Sequence, residues 1–197
     1  MDSSLYTRPN KPRAVAVSRR ERVEIPKPGT MPEPIEVHSS TECHVTPEGV
    51  AGRMFDYLAP NGMETVLEPS AGTGNLVASM LDSVQAVHAV EMQQSLAGAI
   101  EQRFEDDPAL TVWRADFLDW AAEPCRDRYS AIIMNPPFKQ VKKHMQAAID
   151  LLDDGGRLIA LVPTTYQHPD AYDLEELGPD TFASAKVYTK IIEIMKE

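Results

Sequence analysis

An asparagine, two prolines and an aromatic ring, Asn135-Pro136-Pro137-Phe138, close the apolar run that ends at Met134. Pro136 and Pro137 lack backbone donors, so neither a strand ladder nor a helix interior continues through them. The chain there is a stiff loop, able to hold the Asn135 and Phe138 side chains in one orientation. The plainer reading is a rigid strand exit with Phe138 folded into the core. Three further stretches place suitable chemistry after apolar runs. In Glu68-Pro69-Ser70-Ala71-Gly72-Thr73-Gly74 the glycines let the backbone approach a ligand before a helix begins. Glu91 follows "AVHAV" about 20 residues past those glycines, where a carboxylate can accept hydrogen bonds from both hydroxyls of a ribose. Asp116 and Phe117 follow "LTVWRA", a carboxylate for an adenine amino group with an aromatic ring beside it. Each also has an ordinary use: Glu91 as a surface strand end, Asp116 as a helix cap, Phe117 as core. Their succession in chain order points instead to one site for a nucleoside-bearing ligand. A phosphate cradle at the glycine turn is disfavoured, because the Gly-Lys-Ser/Thr ending it requires is missing.

The elements that must position these residues alternate. A helix is expected in "HVTPEGVAGRMFDYL", with Thr46 as N-cap, Pro47 in the first turn, and Val50, Met54 and Leu58 on one face. Strand "METVLE" enters the glycine turn and a helix from about Asn75. Strand "AVHAVE" leads to a helix over 95–103, and "ALTVWRADF" supplies a third strand. "YSAIIMN" is the fourth, followed by a helix over "VKKHMQAAIDLLDD", a Gly-Gly turn, and a fifth strand "RLIALVP". Such alternation predicts an α/β fold, a mostly parallel sheet with helices on both faces. The stretch "TFASAKVYTKIIEIMKE" reads as extended segments without a helix, forming a terminal antiparallel hairpin at a sheet edge.

The chain has 197 residues, 43% hydrophobic and 25% charged, which suits one globular domain with some excess. No apolar run approaches the roughly 20 residues of a membrane span. Residues 1–26 carry no apolar stretch of signal-peptide length, so no membrane association and a cytoplasmic location are expected. Cys43 and Cys125 lie outside any metal-ligand spacing, so no metal site is expected. The net charge of −11 argues against a surface that grips nucleic acid all round. The charge is uneven, however. Arg8, Lys11, Arg13, Arg19, Arg20, Arg22 and Lys27 outnumber Asp2, Glu21 and Glu24 in residues 1–30, and the first 34 residues hold six of the sixteen prolines. Residues 1–40 therefore read as an extended, basic, proline-rich arm, with the folded domain over 41–197. A second basic knot, "KQVKKH" at 139–144, directly follows the Asn-Pro-Pro-Phe loop.

The motifs "VLEPSAGTGNL", "VHAVE", "RADF" and "IIMNPPF", in that order, resemble the class I S-adenosylmethionine-dependent methyltransferases that modify exocyclic amino groups. "HVTPEGVAGRM" resembles the Thr-Pro helix of adenine-specific DNA methyltransferases, and the segments after Met134 resemble small stand-alone enzymes of phages and plasmids. The resemblance spans about residues 42–195. It implies a Rossmann-like fold with a seven-stranded, mostly parallel sheet, and S-adenosylmethionine as cofactor. It assigns Glu68, Ser70, Gly72 and Gly74 to the methionine end, with Thr46 and Pro47 closing that side, and counts Pro69 and Ala71 among the cofactor-binding residues. Glu91 falls to the ribose, Asp116 and Phe117 to the adenine, and Met92 and Asn135 border the cofactor as well. The catalytic set is Asn135, Pro136, Pro137 and Phe138. The Asn135 side-chain oxygen and the Pro136 carbonyl would accept hydrogen bonds from the target amino group, and Phe138 would stack on a flipped base.

Adenine in DNA is the expected substrate, held through Lys139, Lys142 and Lys143 and through the arm. The alternatives are methylation of an RNA base or a protein glutamine amide, or a catalytically silent cofactor-binding subunit. Only a short hairpin follows the fifth strand, so sequence readout would come from local shape, from a partner chain, or from a substrate that is not duplex DNA.

Overall fold

The computed structural model describes residues 44–105, 107–182 and 186–197, together with Leu5–Tyr6 and Val15–Ala16. Leu5–Tyr6 (β1) and Val15–Ala16 (β2) pair antiparallel within a unit of Met1–Pro34. The remainder of the expected arm lies outside the described residues.

The unit Ile35–Glu197 carries the α/β architecture. Its elements are α1 (Glu48–Leu58), β3 (Thr65–Glu68), α2 (Asn75–Met80), β4 (Ala86–Val90), α3 (Gln94–Arg103), β5 (Leu110–Trp113) and α4 (Phe117–Ala121). They continue with β6 (Tyr129–Met134), a 3₁₀ turn (Phe138–Gln140), α5 (Val141–Asp150), β7 (Leu152–Pro163), β8 (Ala171–Leu177) and β9 (Thr189–Met195). The seven strands are ordered β5-β4-β3-β6-β7-β9-β8, with β9 antiparallel to both its neighbours and the other pairs parallel.

Side chains alternate between two apolar layers. Ala131 and Ile133 face a cluster with Val50, Met54 and Leu58 of α1 and Leu76, Val77 and Met80 of α2. Ile132 and Met134 face a second, with Trp120 of α4 and Met145 and Ala148 of α5. A strand buried on both faces has no polar positions to alternate with, which is why 131–134 reads as an unbroken apolar run. The chain winds outward from β3 to β4 and β5, then returns to β6 on the other side. That reversal opens a crevice beyond the carboxyl ends of β3 and β6.

Several boundaries differ from the sequence expectation. The helix at 48 starts after Pro47, the N-cap residue, and Thr46 makes no side-chain cap. Phe117 opens a short helix capped by the Asp116 carboxylate, which accepts from the backbone N–H groups of Leu118 and Asp119. The helix α5 stops at Asp150 rather than running to Asp154, because Arg128 and Lys196 draw off the carbonyls of Ile149, Asp150 and Leu152. Gly155 and Gly156 are not a free turn. They sit in an irregularity of β7 between Leu152 and Arg157, tied to Lys196 by two backbone hydrogen bonds. The hairpin strand that pairs with β9 is "AYDLEEL", upstream of the segment expected to supply both strands, and it is β8 that forms the edge. Asp173, Glu175 and Glu176 disguise it as a polar segment, and such charges suit a strand whose outer edge must not pair with another chain.

Two glycines separate backbone need from helix propensity. Gly74 has φ +79°, and a Cβ there would meet the side chains of Ile100 and Phe104 at 3.2 Å, whereas a Cβ on Gly52 within α1 meets nothing within 4 Å. Gly74→Ala is expected to lower unfolding stability by about 1–3 kcal/mol and Gly52→Ala to raise it by about 0.5–1 kcal/mol, both read from denaturant midpoints. Matching changes at the two positions would refute this packing of α2 against α3.

Candidate functional site

The carboxyl ends of β3, β4, β5 and β6 converge on one cavity of about 330 Å³. From β3 it receives Glu68, Pro69, Ser70, Ala71 and Gly72; from β4, Glu91 and Met92; from β5, Asp116 and Phe117; from β6, Asn135 and Pro137. Thr46 lines it from the segment preceding α1, and Lys139 from the turn after the prolines.

The glycine turn and Glu91 are built as one piece. Gly72 has φ +55°, and its N–H donates to Glu91 Oε2 at 2.8 Å. Glu91 Oε1 accepts from the Gln93 N–H at 2.7 Å. Burial raises the Glu91 pKa, opposed by the N–H groups of Gln93, Gly72 and Met92. An ionised carboxylate offers about four acceptor directions, so these bonds orient the group without exhausting it.

Glu68 is more deeply enclosed, at 1% exposure. The backbone N–H of Val77 bonds to it. That donor belongs to the first turn of α2, where the N-cap Gly74 has no side chain to offer. Its Oε2 atom is buried with no hydrogen-bond partner among the described residues. Burial, then repulsion from Glu91, pushes its carboxyl well above the usual range, against the Val77 hydrogen bond.

Asn135 has a defined orientation. Its Nδ2 donates to the His44 carbonyl at 2.9 Å and to Thr46 Oγ1 at 3.0 Å. A carbonyl only accepts, so the amide cannot be turned the other way. Both Nδ2 protons are therefore used, while Oδ1 is buried without a partner among the described residues.

Also on the cavity wall, the Asp116 cap uses one oxygen, Oδ1, for both backbone donors, at 2.8 and 3.4 Å. Phe117 is 3% exposed, so the residue serves the core and the cavity wall together. His144, counted in sequence as part of a basic knot, is buried in α5 and lines the cavity, its ring 5.8 Å from that of Phe117. Burial lowers its pKa, opposed by the Gln140 carbonyl and Asp116.

Four expected site residues do not reach the wall. Pro47 begins α1, its carbonyl accepting from Val50 and Ala51, and Gly74 faces α3 rather than the cavity. Pro136 is buried behind the loop. The Phe138 ring packs on His44 at 4.9 Å and edge-on to Phe182 at 6.0 Å, forming a three-ring cluster beside Asn135. Lys142 and Lys143 are exposed on the first turn of α5, outside the cavity. The sequence reading missed His44, Asn75, His144 and Phe182. His44 and His144 are single polar residues outside any strand-end motif, Asn75 closes the glycine motif but reads in sequence only as the start of a helix, and Phe182 comes from the β8–β9 connection. Among the described residues no group of three His, Cys, Asp or Glu is placed to hold a metal ion, and no helix is long and apolar enough to cross a membrane.

These donors and acceptors fit S-adenosylmethionine. Glu68 offers an unsatisfied carboxylate oxygen to an ammonium, Glu91 a fixed carboxylate to vicinal hydroxyls, and Asp116 and Phe117 an acceptor and a ring to a purine.

Residues 44–149 match the family described as Ribosomal RNA adenine dimethylase. The Ribosomal RNA small subunit methyltransferase A of Synechococcus sp. (strain WH7803) is 30% identical over 108 residues, which cover 54% of this chain and 39% of that protein. Among solved structures, the 23S rRNA methyltransferase ErmE superposes with a TM-score of 0.67 at 16% identity, covering 78% of this chain and 70% of the other. A dimethyladenosine transferase from Plasmodium falciparum gives a TM-score of 0.64 at 15% identity, covering 78% and 63%. The structural likeness establishes the seven-stranded methyltransferase fold.

The burial of Glu68 has a consequence for stability. A carboxyl whose folded pKa lies above its unfolded value destabilises the fold as pH rises from the unfolded pKa through the folded one, and costs nothing below both. Glu68→Gln removes the charge and keeps the shape. Its melting temperature should exceed that of the wild type at pH 7.5, by roughly 2–4 °C for each kcal/mol recovered, and the gap should close as pH falls to about 4.5. A gap constant with pH would show that Glu68 is not a strained carboxyl.

Proposed function

Since this chain belongs to the ribosomal RNA adenine dimethylase family, and is an S-adenosylmethionine-dependent methyltransferase, we propose that it methylates the exocyclic amino group of adenine in RNA. The observation that carries the chemistry is Asn135: an amide locked by both its N–H groups, with a buried oxygen left over. The RNA assignment draws on the family and on the relatives' names, where the motifs alone had favoured DNA. The match spans 39% of the curated relative's length, so whole-protein activity is part of the proposal.

An adenine amino nitrogen is a weak nucleophile because its lone pair is delocalised into the ring. Asn135 Oδ1, accepting one N–H, draws the nitrogen toward a pyramidal shape and raises its electron density. No reorganisation is required at the moment of transfer, since the amide is already fixed. S-adenosylmethionine, when bound, supplies an electrophilic methyl on a sulfonium. Glu68 would hold its ammonium, Glu91 its ribose, and Asp116 with Phe117 its adenine. The nitrogen gains the methyl and gives up a proton, which can leave to water afterwards, so the residues need supply no strong base. Of the two acceptors expected from sequence, only Asn135 is on the cavity wall; Pro136 and Pro137 serve to hold it.

The target base would enter against His44, which lines the cavity and is backed by the rings of Phe138 and Phe182. Lys142 and Lys143 occupy the first turn of α5, where positive charge opposes the helix dipole. They therefore do nothing for the helix, and with Lys139 they would receive phosphates. That local patch suits a chain of net charge −11. The basic arm would add contacts of the same kind, and site readout would come from RNA shape or from a partner chain.

Labelled S-adenosylmethionine offered with separate RNA, DNA and protein pools, followed by digestion, should yield N6-methylated adenosine from RNA. Label in deoxyadenosine or glutamine would overturn the RNA assignment. Asn135→Ala should cut turnover by ~100-fold to 1,000-fold with cofactor affinity by calorimetry nearly unchanged. Wild-type turnover in that variant would remove Asn135 from the chemistry.

A further inference from the structure

Asn135 is held by a segment that belongs to neither the strand it ends nor the loop it starts. His44 and Thr46 approach from upstream of α1, some 90 residues away in sequence, and take both Nδ2 protons. That segment is itself held from the cofactor side. Asn75, the first residue of α2 after the glycine turn, donates through Nδ2 to the Thr46 carbonyl at 2.8 Å. Asn75 Oδ1 accepts from Arg103 Nη1 at 2.9 Å, and the same guanidinium nitrogen donates to the Thr73 carbonyl at 3.1 Å. Here too the polarity is settled. Asn75 faces a carbonyl on one side and a guanidinium on the other, so its amide has only one workable orientation.

We infer that Thr46 and Asn75 are positioning residues for the methyl transfer, a strap through which the glycine turn sets the direction of the Asn135 acceptor. The chain of contacts runs Thr73 and Asn75, Thr46, Asn135, and every bond in it has a fixed donor. All four, Thr73, Asn75, Thr46 and Asn135, also line the cavity. Thr46 is 7% exposed, and its hydroxyl oxygen is occupied by Asn135. Its role here is to aim the catalytic amide, beside its expected place at the methionine end of the cofactor, and it lines the cavity. Without the hydroxyl, one Nδ2 proton loses its acceptor inside the protein. The amide is then tied by the His44 carbonyl alone, and the direction of the Oδ1 acceptor presented to the substrate is less sharply fixed. With Asn75 changed to a group that repels the Thr46 carbonyl, the strap moves as a whole. Arg103, at the far end, holds Asn75 and the turn in register.

The inference rests on the proposed role of Asn135, and the test keeps the two apart. Thr46→Val is isosteric and lacks the hydroxyl; Thr46→Ser restores it. Asn75→Asp keeps the Arg103 partner and sets an oxygen against the Thr46 carbonyl. In steady-state kinetics Thr46→Val and Asn75→Asp should each lower kcat roughly tenfold or more, the effect of one lost hydrogen bond, with KM for RNA little changed. Thr46→Ser should recover most of the rate. The side-chain amide protons of Asn135, identified in 15N spectra by their loss in Asn135→Ala, should exchange with water faster in Thr46→Val and Asn75→Asp than in the wild type or Thr46→Ser. Unchanged exchange in both variants overturns the strap, whatever the activity. A weaker cofactor with kcat preserved in Thr46→Val also overturns it, and returns Thr46 to the methionine side. If Asn135→Ala itself turns over normally while exchange responds as described, the strap stands as structure and the chemical role of Asn135 falls.

Discussion

The constraint from which the site follows is the burial of both faces of a parallel sheet. The middles of β3 and β6, residues 66–67 and 131–133, cannot carry a polar residue without stranding it between two apolar layers. Functional groups are thereby driven to the places where the strands stop. Backbone geometry at those stops is then adjustable: a glycine turn after β3, a capped helix after β5, two prolines after β6. Each departure from regularity exposes one group and satisfies the rest.

The same economy appears in the hydrogen bonds. Glu91 fixes the turn it faces, Asp116 caps the helix it precedes, and Glu68 takes a first-turn donor of α2. None of the three carboxylates is free in the sense of being unattached, yet each keeps acceptor capacity toward the cavity. Two acids so near one another and so poorly hydrated are costly to fold. The cost is localised at Glu68, whose second oxygen is unsatisfied, and it is the kind of strain that a cationic ligand relieves.

Much of this was legible before any coordinates. Periodicity located β3, β4 and β6 to within two residues of their observed ends and overran the end of β5 by four, because strands buried on both faces write themselves as apolar runs, and the special residues after each run marked the strand ends. What was illegible had a common cause, the use of residues from distant segments. The hairpin partner of β9 was missed since an edge strand carrying Asp173, Glu175 and Glu176 has no apolar alternation to show. Thr46 looked like a helix cap from its neighbours, but its hydroxyl partner is Asn135, 89 residues on. His144 was grouped with the lysines around it, whereas helical rotation carries it to the buried face of α5. Gly74 belonged to a ligand-binding motif by position and faces a neighbouring helix in space.

Phe182 sits in the connection between β8 and β9, and His44 in the segment ahead of α1, so two of the three rings beside Asn135 hang from irregular chain. The cofactor side, by contrast, is made of strand termini locked into the sheet. The two halves of the cavity therefore differ in how freely they can change over evolutionary time. A lengthened β8–β9 connection or a new ring in place of Phe182 would shift the support behind His44, and with it one wall of the cavity, without disturbing the register of any strand. Acceptor range can drift among descendants of such a chain while the machinery for the methyl donor stays as it is.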